Sequence, residues 1–153
     1  MAEFIHSDPK NVQLNDALLS AYKYFFSNFP MACPKRGAFI GYKFGITIIK
    51  GFKIPCIIKL EIPANAKRSS AFGNKCRCNK AKVLDITTID TGTKVDTALS
   101  DYDNFFTYVV NEEVFEPNFD ENRWHECAPG IHFFMTKKEA LEYYKNSYYN
   151  FNW

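Results

Sequence analysis

Residues Trp124–Tyr144 read WHECAPGIHFFMTKKEALEYY, a turn, a strand and a capped helix in close succession. Ala128-Pro129-Gly130 is a turn signal, because proline presets φ and glycine accepts a positive φ. Ile131–Met135 follows as a bulky run with β-branched and aromatic members. Bounded by that turn and by a helix start, the run predicts a buried strand. Thr136-Lys137-Lys138-Glu139 fits a capping box: the threonine hydroxyl accepts from the Glu139 N–H, and the Glu139 carboxylate reaches back to the Thr136 N–H. A helix is expected from Glu139 to about Tyr149, with Ala140, Leu141, Tyr144 and Tyr148 on one apolar face.

Working outward, residues 1–13 read as a loosely held lead-in and Leu14–Phe29 as a helix, its stripe made by Leu14, Ala17, Leu18, Ala21, Tyr22, Phe25 and Phe26. Pro30 ends it, and Met31–Gly37 is a loop. Ala38–Lys43 reads as a strand, and Gly45–Lys50 and Ile54–Ile62 as two more runs around Gly51-Phe52-Lys53, a hairpin. In the second run Ile58, Leu60 and Ile62 alternate with a wetter set, Ile57, Lys59 and Glu61. Residues 64–80, ANAKRSSAFGNKCRCNK, show no clear period and carry no acid; they are expected to form a long ordered loop. Ala81–Ile89 returns to strand character, Asp90-Thr91-Gly92 is a turn, and Val95–Ser100 reads as a short helix. Phe105–Val110 and Glu113–Glu116 read as a hairpin around Asn111-Glu112, and Tyr148–Trp153 as a docked aromatic tail. The order predicts one α+β domain over residues 1–153: a mostly antiparallel sheet of about six or seven strands, with an N-terminal and a C-terminal helix.

Composition bounds the function. The chain has 153 residues, of which 46% are apolar and 24% charged, so one packed core is expected. The 17% aromatic share points to a core built on rings. A net charge of +2 argues against a nucleic-acid or membrane surface partner. No leader pattern and no apolar run of membrane length is visible, and five cysteines, an odd number, suit free thiols in a reducing, cytoplasmic compartment.

Three groups of residues are candidates for chemistry. Lys67, Arg68, Lys75, Arg77, Lys80 and Lys82 crowd one segment beside Ser69, Ser70 and Asn74. Such donors are what an anionic ligand needs, although a solvated loop or a partner for the acidic run Glu112–Glu121 has the same composition. Cys76 and Cys78 with His125 and Cys127 are a possible zinc set, but a one-residue spacer departs from the usual C-x₂₋₄-C. His132 sits between Ile131 and Phe133, inside an apolar strand, where a satisfied structural histidine is the better reading and a catalytic one the alternative. No G-x-S-x-G, H-E-x-x-H, G-x-G-x-x-G or Walker loop is present, so no catalytic residues are assigned and no cofactor is expected.

Four segments together carry a resemblance: AFIGYK (Ala38–Lys43), the run Ile57–Ile86, FTYVVNEEV (Phe106–Val114) and Phe119–Tyr144. They resemble an uncharacterised viral and bacterial domain, often found beside pentapeptide repeats or as a small phage protein. The resemblance implies a viral or mobile-element origin and a function tied to Lys67–Cys78 and Trp124–Phe134. A weaker likeness, in Gly130-Ile131-His132-Phe133-Phe134, is to ADP-ribosyltransferases, and it implies the nicotinamide end of NAD as a ligand. No catalytic glutamate follows on a late strand.

The resulting expectation is a small intracellular binding module of viral or phage type, without catalysis of its own. It would act on a host protein or sequester a phosphorylated small molecule through Lys67, Arg68, Ser69, Ser70, Lys75, Arg77, Trp124 and His132. The alternative is an NAD-like nucleotide binder or degenerate ADP-ribosyltransferase.

Overall fold

The computed structural model describes residues 17, 18, 20, 21, 29–100 and 106–149. The chain divides into two compact units, Met1–Pro30 and Met31–Trp153. In the first, Ala17, Leu18, Ser20 and Ala21 are helical. The lead-in, the other residues of the helix expected over Leu14–Phe29 up to residue 28, and the tail from residue 150 onward lie outside the described residues.

The second unit is built on one long hairpin. Strand β1 (Phe39–Ile49) pairs antiparallel with β2 (Phe52–Ile62) in unbroken register, from Phe39 opposite Ile62 to Ile49 opposite Phe52. Lys50 and Gly51 close it with φ of 51° and 83°, the two positive angles that match the strands' right-handed twist. The sequence suggested a break after Lys43. The strand runs through, and Gly45 is where two neighbours approach too closely for a side chain: a Cβ would lie 2.7 Å from Ile58 Cδ1 and 3.0 Å from Leu99 O. The alternation in β2 holds, with Ile58, Leu60 and Ile62 fully buried and Glu61 exposed. Ile57 on the wetter side is buried as well, because Phe134 and Ala140 cover it.

Strand β5 (Lys80–Thr88) flanks β2, and β8 (Glu113–Phe115) flanks β5; on the other side β6 (Thr97–Ser100) flanks β1, and β7 (Thr107–Val109) flanks β6. All pairings are antiparallel. The structure departs from the sequence reading here at two places. Residues 95–100 contain a strand rather than a helix: Ala98 and Ser100 alternate inward, and pairing on both sides outweighs local propensity. The segments on either side of Asn111-Glu112 are not a hairpin, since β7 and β8 lie at opposite edges of the six-stranded sheet. The three residues between them reach about 14 Å, whereas six flat strands hold their edges about 24 Å apart. The sheet must therefore curl until its edges meet. The linking turn has Asn111 at φ 71°. It docks on β5, with the Asn111 N–H donating to Val83 O (2.8 Å) and the Val83 N–H to Glu112 O (3.0 Å).

A second sheet caps the core. Its strands β3 (Arg68–Ser70), β4 (Cys76–Cys78) and β9 (Ile131–Phe133) pair antiparallel in the order β3-β4-β9. Residues 64–80 are thus not one long loop; two strands of three residues each are too short to show a period. Strand β9 is the run predicted from the Trp124–Tyr144 stretch. Beyond it, Phe134 and Tyr42 exchange backbone hydrogen bonds of 2.7 and 2.8 Å, tying the small sheet to β1. The core between the sheets joins Ile58, Leu60, Ile62, Val83 and Ile86 to Cys76, Cys78, Ile131 and Phe133. Helix α1 (Lys137–Tyr143) starts at Thr136, whose hydroxyl accepts from the Glu139 N–H (3.1 Å) and donates to the Glu139 carboxylate (2.8 Å). A π-helical turn, Tyr144–Tyr149, continues it, and the Tyr144 ring stacks on Phe44 at 5.0 Å. Among the described residues the unit is mostly antiparallel sheet, with nine strands and one helix near the C-terminus.

Candidate anion-binding site

Both arginines expected to grip a ligand are turned toward the protein's own backbone. Along β4, Cys76 and Cys78 face the core, so Arg77 points to the opposite side. It is 2% exposed, and its guanidinium donates to Asp120 O and Pro129 O (2.9 Å each) and to Asn122 O (3.0 Å), with the Phe119 ring 5.0 Å away. A buried cation is tolerable when its N–H groups meet carbonyl dipoles, and these bonds hold the whole 119–130 connection against β4. Gly130 fits there because a Cβ would come within 3.1 Å of Arg77 Cβ. Arg68 does the same for another pair of segments. It donates to Gly37 O (2.6 Å), Pro34 O (3.3 Å), Pro63 O (2.9 Å), Ala64 O (3.1 Å) and Ala66 O (3.1 Å), over the Phe39 ring.

The other predicted residues disperse. Ser70 Oγ accepts from the Ala32 N–H (2.9 Å), and Ser69 Oγ is buried without a hydrogen-bond partner among the described residues. Lys75 lies over the Tyr143 ring. Trp124 packs against Phe72 (5.1 Å) and under Arg123 (4.6 Å). His132 lies in a separate cleft.

What the structure does assemble is a cationic recess. Lys35, Arg36, Lys67 and Arg68 line a depression of about 330 Å³, with Ala64, Ala66, Phe119 and a single acid, Glu121. Lys67 Nζ stands 3.4 Å from Glu121 Oε2, both side chains exposed. The Lys67 N–H donates to Asn79 Oδ1 (2.8 Å), which fixes the backbone beneath it. Lys35 and Arg36 were not singled out in the sequence, though Pro34-Lys35-Arg36-Gly37 is a compact basic loop. Arg68 brings them in by binding the carbonyls of Pro34 and Gly37.

The second cleft, also about 330 Å³, opens among Ser100, Phe106, Tyr108, Glu116, Cys127, Gly130 and His132. The Nε2–H of His132 donates to Ala128 O (3.0 Å). Burial, with the Lys75 charge second, pulls its pKa down to about 4, so the ring is neutral at pH 7. Lys43, 6% exposed, stands behind this cleft with its Nζ 5.5 Å from the centre of the Tyr108 ring.

The possible zinc set does not come together. Cys76 and Cys78 face the core, whereas His125 and Cys127 are exposed on the loop that Arg77 holds on the other side of β4. His125 Nδ1 lies 2.7 Å from Asp120 Oδ2, and that hydrogen bond holds the Asp120 carboxyl below its usual range. Among the described residues no group of three or more His, Cys, Asp or Glu could hold a metal ion. All five cysteines are free thiols, four of them buried and Cys127 exposed.

Fold and site together define a small antiparallel β module with a capped C-terminal helix, two internal arginine staples and a cationic recess. A family model, DUF5758, a family of unknown function, matches residues 29–140, and the chain belongs to that family. The match takes in all nine strands and the start of α1. No curated protein and no solved structure matches the chain. Among the described residues no helix is long and apolar enough to cross a membrane.

Proposed function

We propose that this chain is a non-catalytic binding module that sequesters a phosphorylated small molecule in the recess of Lys35, Arg36, Lys67 and Arg68. The observation that carries the reading is the convergence of four cations, from two segments far apart in sequence, around one acid. Arg68 is locked by five carbonyls, so its charge is in place before a ligand arrives and little ordering cost remains. Lys35, Arg36 and Lys67 are exposed and supply charge-assisted bonds from the rim. A volume of about 330 Å³ suits a small ligand. Free thiols suit an intracellular setting, and the viral or phage origin that the resemblance implies is part of this reading.

The test is calorimetric titration of the whole chain with pyrophosphate, ATP and NAD. Lys67→Glu reverses one rim charge beside Glu121 and is expected to weaken binding by about tenfold or more, since one charge-assisted contact is worth about 1.5–3 kcal/mol. Equal affinity in wild type and variant would remove the recess from the site.

A second reading has its own observation. Gly130 and His132, from the segment that resembles ADP-ribosyltransferases, line the cleft that also holds the rings of Phe106 and Tyr108. An NAD-like nucleotide would place its planar base there. In that case NAD binds, His132→Ala weakens it, and Lys67→Glu leaves it unchanged.

A further inference from the structure

The segment that leads into β1 lies along the small sheet, and its placement is specific. The Ala32 N–H donates to Ser70 Oγ (2.9 Å), and Ser70 stands opposite Cys76 in the β3–β4 register. The next residue, Cys33, is thereby brought to the Cys76 side of the small sheet, and the two belong to one packed cluster, where the Cys76 S–H donates to Asn74 O (3.6 Å). They are 4% and 0% exposed. The Cys76 thiol beside it draws Cys33 below the usual thiol range, assisted by the charges of Arg68 and Arg123, while Cys33 and burial push Cys76 up. Cys78 and Glu139 also act on the pair, from the side of Cys76. Cys33 belongs to an irregular segment of the chain, the kind that opens locally at low cost.

We propose that Cys33 and Cys76 are a peroxide-sensitive dithiol, in which Cys33 is the attacking and Cys76 the resolving thiol. The Cys33 sulfur attacks one oxygen of a peroxide. The O–O bond breaks and a hydroxide leaves, taking up a proton as water, so Cys33 becomes a sulfenic acid. The Cys76 sulfur then attacks the Cys33 sulfur. The S–O bond breaks, and the hydroxyl departs with the Cys76 proton as a second water. Two thiols have lost two electrons, and one hydrogen peroxide has become two waters.

The cross-link would fasten Cys33 to β4 and so fix Pro34–Gly37, whose carbonyls hold Arg68 and whose Lys35 and Arg36 line the recess. Its effect on ligand binding rests on the anion-binding reading; the cross-link itself does not.

The experiment treats the folded full-length chain with hydrogen peroxide, blocks remaining thiols with an alkylating agent, and maps the unreduced peptides by mass spectrometry. The expected result is a peptide joining Cys33 to Cys76, retained in Cys78→Ser and lost in Cys33→Ser. Amide exchange over residues 32–38 should slow in the oxidised wild type. A cross-link involving Cys78, or oxidation of Cys33 to the sulfinic acid without any cross-link, overturns the proposal. Unchanged exchange in the cross-linked protein overturns its effect on the loop. Pyrophosphate titration of both redox forms tells the two readings apart: a cross-link that forms in a chain that never binds pyrophosphate sinks the ligand reading alone.

Discussion

Arg77 is a cation that spends its charge on carbonyls, and its loss is expected to show in stability. Arg77→Ala leaves the carbonyls of Asp120, Asn122 and Pro129 unanswered and opens space beside Phe119. The expected cost is about 3 kcal/mol or more, read as a lower urea midpoint. Arg77→Lys should recover little, because one ammonium cannot span three carbonyls. The residue type was plain in the sequence, but its partners were not: every residue has a carbonyl, and these lie 43, 45 and 52 positions away. His132 gives a second residue-level prediction. Its pKa falls from 6.5 to about 4 on folding, so between those values the unfolded chain binds the extra proton. Its stabilising contribution is therefore complete above pH 6.5 and is lost as the pH falls toward 4, by up to about 3 kcal/mol. His132→Gln should flatten that part of the stability–pH curve, measured by chemical denaturation at a series of pH values; a slope that persists would place its origin elsewhere.

Among the elements, β1 is the one that every other layer touches, and two glycines let it do so. A Cβ at Gly41 would meet Phe133 Cδ2 at 2.6 Å and Ile62 Cδ1 at 3.0 Å. Both rows belong to the packed core, so Gly41→Ala is expected to cost about 1–3 kcal/mol by overpacking. A thermal melt that matches wild type would show that the two sheets part more easily than their contacts imply. The elements legible in the sequence were those whose signals are local: the turn into β9, the cap at Thr136, and the alternation along β2. Those missed were decided at a distance. Strand β6 exists because β1 and β7 stand on either side of it. Strands β3 and β4 are three residues each, and β4 takes its second partner, β9, from more distant sequence. The basic residues were visible one by one; that Lys67 shares a recess with Lys35 rather than with Arg77 follows from Arg77 reaching the 119–130 connection and from Arg68, beside Lys67, holding the Pro34–Gly37 loop.

For the molecule as a whole, the distribution of thiols makes a simple prediction. Native protein mixed with an alkylating agent is expected to label Cys127 fast, Cys33 slowly as its segment opens, and Cys56, Cys76 and Cys78 only on unfolding; rapid modification of Cys56 or Cys78 would mean that the core opens as a unit. The class of fold, α+β in its coarse sense, followed from composition and the order of elements, whereas the curl of the sheet did not, because it depends on β7 and β8 being at opposite edges yet three residues apart. That short link has a consequence for association. An open sheet ends in rows of unpaired N–H and C=O groups, on which an extended segment of a second molecule can build. Here both edge strands are only three residues long, and one turn draws them together. A stranger's strand finds no template of useful length, so even with Phe52 and Phe115 exposed, the fold itself guards against fibrous growth.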